Sequence, residues 1–328
     1  MHDDKLSKLI EAAKLYYQFD MSQQKIAEKL GVSRPSVSRM LQQAKDQGIV
    51  QIKILDPTES TEQMERLLKK KFKLKDCKIA SVPFFVDEIK AELGKTAASY
   101  LGEIVQDGDI IGTTWGTTIY EVAQRIQPKN VKSVTVVQLN GGVSYSETNT
   151  YASEILHFLS VAFNTVPHFL PLPAIVDNPV VANAILSDRH IRRVLDLGNQ
   201  SNIAIYTVGD VNHKSTLFQA GYYSEQEFKE LNKLGGVGDI CSRIFDHNGR
   251  ICDPKLDERT IGIQLSELRK KDYSILIAGG MEKVDGIIGA LHGNYSNVLI
   301  TDQYTAQILL QDGKEENKNA GTGAKEPY

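Results

Sequence analysis

The first 56 residues carry three short apolar patterns at helical spacing. Leu6, Leu9, Ile10, Ala13 and Tyr17 recur three or four positions apart, which predicts an amphipathic helix. Phe19-Asp20-Met21 breaks that pattern. Ser22 can then cap a second helix, with Gln23 and Gln24 in its first turn and Ile26, Ala27 and Leu30 turned inward, ending at Gly31. Ser33 is the next cap. Pro35 follows in the first turn, where its missing N–H costs no hydrogen bond, and Val37, Met40 and Leu41 face inward. Gly48 closes this third helix, and Val50–Ile54 alternates like a short edge strand.

A linker at Asp56-Pro57 leads to a capping-box pattern at Ser60 and Gln63, so residues 57–74 read as a connecting helix. Beyond it the period changes. Apolar runs at Cys77–Val82, Asp109–Thr114, Ser133–Leu139, Val166–Leu170, Asn202–Val208, Asp239–Phe245, Ser274–Ala278 and Asn297–Thr301 alternate with helical stretches such as Val86–Val105 and Thr117–Ile126. This alternation predicts an α/β domain over residues 75–311: a doubly wound parallel sheet covered on both faces. Ligands of such sheets bind beyond the C-terminal strand ends. Residues 312–328 are polar and glycine-rich and read as a disordered tail.

The N-terminal pattern is more specific than three packed helices require. Two helices crossing steeply need a small residue at the crossing, here Ala27, and the tight turn between them favours positive φ, here Gly31. This is helix-turn-helix spacing. It leaves Arg34, Ser36, Ser38, Arg39 and Gln42 on the outer side of the third helix, where Arg suits guanine edges, Gln suits adenine and Ser suits phosphates or bases. Ser22, Gln23, Gln24 and Ser33 lie at helix starts, where phosphates are favoured. Residues 1–56 hold nine basic and seven acidic side chains, a balance of +2 in a chain of net charge −3, so the charge permits contact with double-stranded DNA.

Four glycine-rich strand ends carry the candidate chemistry of the larger domain. Gly116, Thr117 and Thr118 open a helix and offer hydroxyls and backbone N–H groups to a phosphate; the lysine of a nucleotide-triphosphatase loop is missing. Asn140-Gly141-Gly142 follows the third strand. Gly236-Val237-Gly238 presents Asp239, and Gly279-Gly280 precedes Lys283, whose ammonium can reach an anion. Together these predict a pocket for a phosphorylated polyol. An enzyme would need a positioned acid–base pair, and Asp239 with His292 is the one pairing the sequence suggests.

Composition narrows the setting. Cys77, Cys241 and Cys252 are few and far apart, which fits a reduced cytoplasm and neither a disulfide framework nor a metal site. The apolar run from Ser274 to Gly280 is far shorter than the ~20 residues that span a bilayer, and no secretory signal core begins the chain. No membrane attachment and no cofactor are expected.

The motifs in combination resemble the SorC family of sugar-responsive bacterial transcriptional regulators. The likeness lies in Tyr16-Tyr17, Ser22–Ala27 and Leu30–Arg39 of the helix-turn-helix, and in Gly116–Thr118, Val137–Gly142, Val237–Ile240 and Ala278–Gly280. It extends over residues 5–311. Ser146–Tyr151, Leu170–Pro173, Asp188–Ile191 and Arg259–Gly262 bring it nearest to the deoxyribonucleoside-regulator subgroup. The resemblance implies a sensor fold similar to sugar-phosphate isomerases without their catalysis, a homodimer or homotetramer, and an operon repressor that a sugar phosphate releases. For this subgroup the effector would be deoxyribose 5-phosphate. Carried over, Thr117, Thr118 and Lys283 would hold the phosphate, and Asn140, Gly141, Gly142 and Asp239 would face the sugar. In that subgroup a lysine able to form a Schiff base is expected where this chain has Asn140, so binding here would be non-covalent.

Overall fold

A computed structural model describes residues 2–50, 60–82, 89–143 and 149–312, without the side chains of residues 2–5. The chain divides into two compact units, Met1–Asp56 and Pro57–Tyr328.

In the first unit, α1 (His2–Tyr17), α2 (Gln23–Leu30) and α3 (Arg34–Asp46) pack against one another. Their core is Leu9, Ala12, Ala13, Leu15, Ile26, Ala27, Val37, Leu41 and Ala44. Burial of a side chain such as Ile26 is worth ~1.5–3 kcal/mol. The caps form at the expected residues. Ser22 accepts the Lys25 N–H, Ser33 accepts the Ser36 N–H, and Gly31 ends α2 at φ 64°. Leu6 departs from expectation. It is 45% exposed, because it lies one turn before the stretch of α1 that the other helices cover. The proposed edge strand at Val50–Ile54 lies outside the described residues beyond Val50.

The second unit is built on a parallel sheet. Among the described residues its strands are β1 (Asp76–Ala80), β2 (Ile110–Thr113), β3 (Thr135–Gln138), β4 (Pro167–His168), β5 (Ile203–Tyr206), β8 (Tyr273–Ile277) and β9 (Val298–Asp302). They lie in the order β1-β9-β8-β5-β2-β3-β4, with every pairing parallel. All residues of β5 and β9 are buried, so neighbours cover both faces, as an uninterrupted apolar strand requires. The helices α5 (Ile89–Ile104), α6 (Thr117–Ala123) and α7 (Ala152–Ala162) form one group, while α4 (Thr61–Phe72), α14 (Val284–His292) and α15 (Gln303–Gln311) form another. Between them in sequence come α8 (Pro179–Ser187), α9 (Arg189–Gln200), α10 (Thr216–Gln219), α11 (Glu225–Lys233), α12 (Pro254–Asp257) and α13 (Leu265–Leu268). The helix α4 packs on β1 and α15 through buried Met64 and Leu68. Its expected capping box is replaced: the Ser60 hydroxyl donates to Glu62 and makes no cap hydrogen bond.

Several strand and helix extents differ from the sequence reading. The run Asp239–Phe245 is not one strand but an antiparallel hairpin of β6 (Gly236–Ile240) and β7 (Arg243–Asp246). Cys241 and Ser242 turn it at φ 52° and 65°; left-handed residues match the twist of a two-residue hairpin turn. The strand expected at Val166–Leu170 shrinks to Pro167–His168 at the sheet edge, where a proline is tolerated. The helix α6 stops at Ala123, short of Ile126.

From β2 the chain proceeds through β3 to β4 at one edge, whereas from β5 it proceeds through β8 to β9 on the other side. The crevice between β2 and β5 is therefore the topological switch point where open α/β sheets bind ligands.

Candidate functional site

The first unit presents one polar face. Arg34, Ser38, Arg39 and Gln42 of α3 are exposed, with Arg34, Ser38 and Gln42 at i, i+4 and i+8 and therefore in one row. Ser22, Gln24 and Ser33 are exposed, while Gln23 and Ser36 are half-buried. Several of these groups have local partners. Ser33 and Ser36 hydroxyls lie 2.9 Å apart, Gln24 donates to Glu28 at 3.2 Å, and Gln42 donates to Asp46 at 2.9 Å. Arg34 and Arg39 are exposed on this face.

In the second unit a cavity of about 170 Å³ opens at the switch point. Gly116, Thr117 and Thr118 reach it from the end of β2, Asn140 from β3, Asp239 from the β6–β7 hairpin, and Lys283 from the turn after β8. Four separate strand ends named by the sequence thus meet in one place. Two of its buried polar atoms, Asn140 Oδ1 and Thr114 Oγ1, have no hydrogen-bond partner among the described residues. Asn140 itself is 1% exposed and donates through Nδ2 to the Ser242 hydroxyl at 3.0 Å. An unmet buried acceptor costs ~1–3 kcal/mol, and a ligand hydroxyl entering the cavity could meet it.

The charges are arranged in a chain. Lys283 Nζ lies 2.9 Å from Asp210 Oδ1, with both side chains largely buried. Asp239 stands beside this pair. Burial pushes its carboxyl up to about 7, opposed by the Lys283 ammonium and a Ser242 N–H and reinforced by the Asp210 charge. Close packing holds Asp239 over Gly209, where an added Cβ would sit 1.8 Å from Oδ1. The two residues also exchange backbone hydrogen bonds of 2.9 and 3.1 Å.

The remaining glycines named by the sequence do not line the cavity. Gly141 donates its N–H to Ile261 and packs where a Cβ would lie 2.3 Å from the Pro173 carbonyl. Its own carbonyl accepts the Trp115 indole N–H at 2.7 Å, and the Gly142 carbonyl accepts the Thr150 hydroxyl. Gly280 donates to the buried Asp302 carboxylate and the Thr305 hydroxyl, and Gly279 packs against that same carboxylate. These glycines shape the turns that deliver Asn140 and Lys283. The Asp239–His292 pair is not formed: His292 ends α14, and its Nδ1 lies 2.9 Å from the His247 carbonyl. Lys90, Asp210, Lys214 and Ser242 also line the cavity and went unrecognised in the sequence. Lys90 and Lys214 lie away from the strand ends, Ser242 lies in the β6–β7 turn, and Asp210 follows a single glycine, Gly209, beyond β5.

An effector-sized cavity at the switch point of an α/β sheet, carried with a helix-turn-helix, defines a ligand-binding transcriptional regulator. Comparison with known proteins gives the family. The domain described as "Putative sugar-binding domain" matches residues 56–311, and the Crp-like helix-turn-helix domain matches residues 6–59. The chain is 49% identical over 314 residues to the deoxyribonucleoside regulator of Bacillus subtilis (strain 168), covering 95% of this chain and 100% of that one. It is 32% identical to the sorbitol operon regulator of Klebsiella pneumoniae, covering 94% and 99%. The crystal structure of that full-length regulator, SorC, matches with a TM-score of 0.71 over the same shares of the two chains. A transcriptional regulator from Streptococcus pneumoniae TIGR4 matches at 0.72 with 29% identity, covering 78% and 98%. The chain belongs to the SorC family of sugar-responsive transcriptional regulators. No helix among its described residues is long and apolar enough to cross a membrane.

Proposed function

We propose that this regulator represses a sugar or deoxyribonucleoside catabolic operon and leaves its operator when a phosphorylated sugar, foremost deoxyribose 5-phosphate, fills the cavity. The single observation that carries this reading is the meeting of Thr117, Thr118, Asn140, Asp239 and Lys283 around one small polar cavity. Threonine hydroxyls and an ammonium suit a phosphate, and Asn140 and Asp239 suit sugar hydroxyls. The name of the Bacillus subtilis relative supports a deoxyribonucleoside-derived effector. Asn140 makes the binding non-covalent, since an amide cannot form the Schiff base of an amine. The DNA contacts are Arg34, Ser36, Ser38, Arg39 and Gln42 of α3, with Ser22, Gln23, Gln24 and Ser33 at the helix starts. A homodimer or homotetramer in the cytoplasm would place two copies of α3 on adjacent half-sites.

A thermal-shift screen of sugar phosphates on the full-length protein, paired with operator gel shifts, tests the reading. A ligand at 100 times its Kd should stabilise the protein by ~2.7 kcal/mol and release the operator fragment. Stabilisation by no sugar phosphate would overturn it.

A further inference from the structure

Besides Lys283, two lysines that no strand-end motif contains line the cavity, Lys90 and Lys214. Lys90 stands near the start of α5, and its Nζ donates to Thr117 Oγ1 at 3.0 Å. Lys283 already has Asp210 at 2.9 Å, whereas among the described residues no carboxylate pairs with Lys90. An ammonium has three N–H donors, so the bond to Thr117 leaves two for a ligand. That bond also occupies the Thr117 oxygen as an acceptor, which frees the hydroxyl proton to be donated elsewhere. Lys90 and Thr117 are thus a pair of directed donors on one side of the cavity.

Charge balance gives the pair a task. A phosphate monoester carries ~−1.5 to −2 near neutrality. The lining sets Lys90, Lys214 and Lys283 against Asp210, Asp239 and Glu282, and Lys283 is already paired with Asp210, so it cannot balance that anion alone. We propose that Lys90 is a further effector-binding residue, which with the Thr117 hydroxyl supplies a second positive charge to the effector's anionic group. The inference rests on the cavity being a phosphorylated-sugar site. It makes Lys90 a determinant of specificity: it favours phosphorylated over free sugar and adds nothing to recognition of the sugar hydroxyls.

Calorimetry on the full-length protein tests this with a panel of pentose, deoxypentose and hexose phosphates, each beside its unphosphorylated sugar. K90Q should bind the phosphorylated effector ~fivefold to tenfold more weakly than wild type, the scale of a partly exposed charge-assisted hydrogen bond. K90R should regain most of the loss, and binding of the free sugar should not change. Because Lys90 is exposed, operator binding without effector should match wild type and serves as the check on folding. Equal affinity of K90Q and wild type for the phosphorylated effector overturns the role of Lys90 and leaves the site reading standing. So does an equal loss for free and phosphorylated sugar, which would make Lys90 a shaper of the cavity. Wild-type protein that binds no sugar phosphate overturns both.

Discussion

Lys283 and Asp210 meet at 2.9 Å inside the cavity, so the ammonium offered to a phosphate is already held by a carboxylate of the protein. A phosphorylated sugar that uses Lys283 must displace Asp210 or share the ammonium with it. Asp210→Asn should therefore raise affinity for deoxyribose 5-phosphate about threefold to tenfold, from ~1 kcal/mol of partly buried ion pairing. Calorimetry decides the point; unchanged or weaker binding would mean that Asp210 is no competitor.

Lys283→Ala separates sensing from DNA binding. Loss of a charge-assisted hydrogen bond of ~1.5–3 kcal/mol should weaken the phosphorylated effector about tenfold to a hundredfold. Operator binding without effector should stay near normal, since Arg34–Asp46 belongs to the other unit. In cells the variant is expected to repress even when the sugar is supplied. Normal effector affinity in this variant would remove Lys283 from the site.

Asp239 should make stability depend on pH. Burial raises its folded-state value to about 7, so between the ordinary carboxylate range and pH 7 the folded protein holds a proton that the unfolded chain has lost. Its contribution to stability is then greatest at low pH, declines as pH rises through that window, and levels off above it. Lys283, Asp210, Cys241 and Tyr223 are the titratable groups facing it. Asp239→Asn should remove this component. Urea melts of both proteins at pH 5 and pH 8 measure it, and parallel changes in the two would refute it.

Arg39→Ala should weaken operator binding. If the guanidinium reads a base, the loss is ~1–3 kcal/mol with relaxed specificity at one position. A phosphate contact would instead lower affinity across all sequences and reduce the salt dependence. Gel shifts at matched salt, with operator and scrambled DNA, distinguish these, and unchanged affinity would take Arg39 off the interface.

Asn140 predicts the covalent chemistry. Borohydride with deoxyribose 5-phosphate should leave the wild-type protein unmodified, whereas Asn140→Lys places an amine where Asn140 Oδ1 has no partner and should yield a reduced adduct. Mass spectrometry reads both. An adduct on wild type would put Lys90, Lys214 or Lys283 at the carbonyl carbon instead.

Features that depend on near neighbours were legible in the chain alone. The caps at Ser22 and Ser33, the turn at Gly31 and the small Ala27 act within about one helical turn, so spacing alone placed α2 and α3. Alternating apolar runs likewise announced the parallel sheet and its glycine-rich ends, including Thr117, Asn140 and Lys283. The hairpin at Cys241–Ser242 was not legible, because neither residue is a usual left-handed turn former and its flanks read as one apolar strand. Which strand ends become neighbours follows from the assembled sheet. Packing of α5 on α6 brings Lys90 to Thr117, the pairing of β5 with β8 brings Asp210 to Lys283, and such pairings leave no local periodicity to read. Burial likewise belongs to the assembled fold: a carboxylate such as Asp239 shifts only once the hairpin and Gly209 have closed around it.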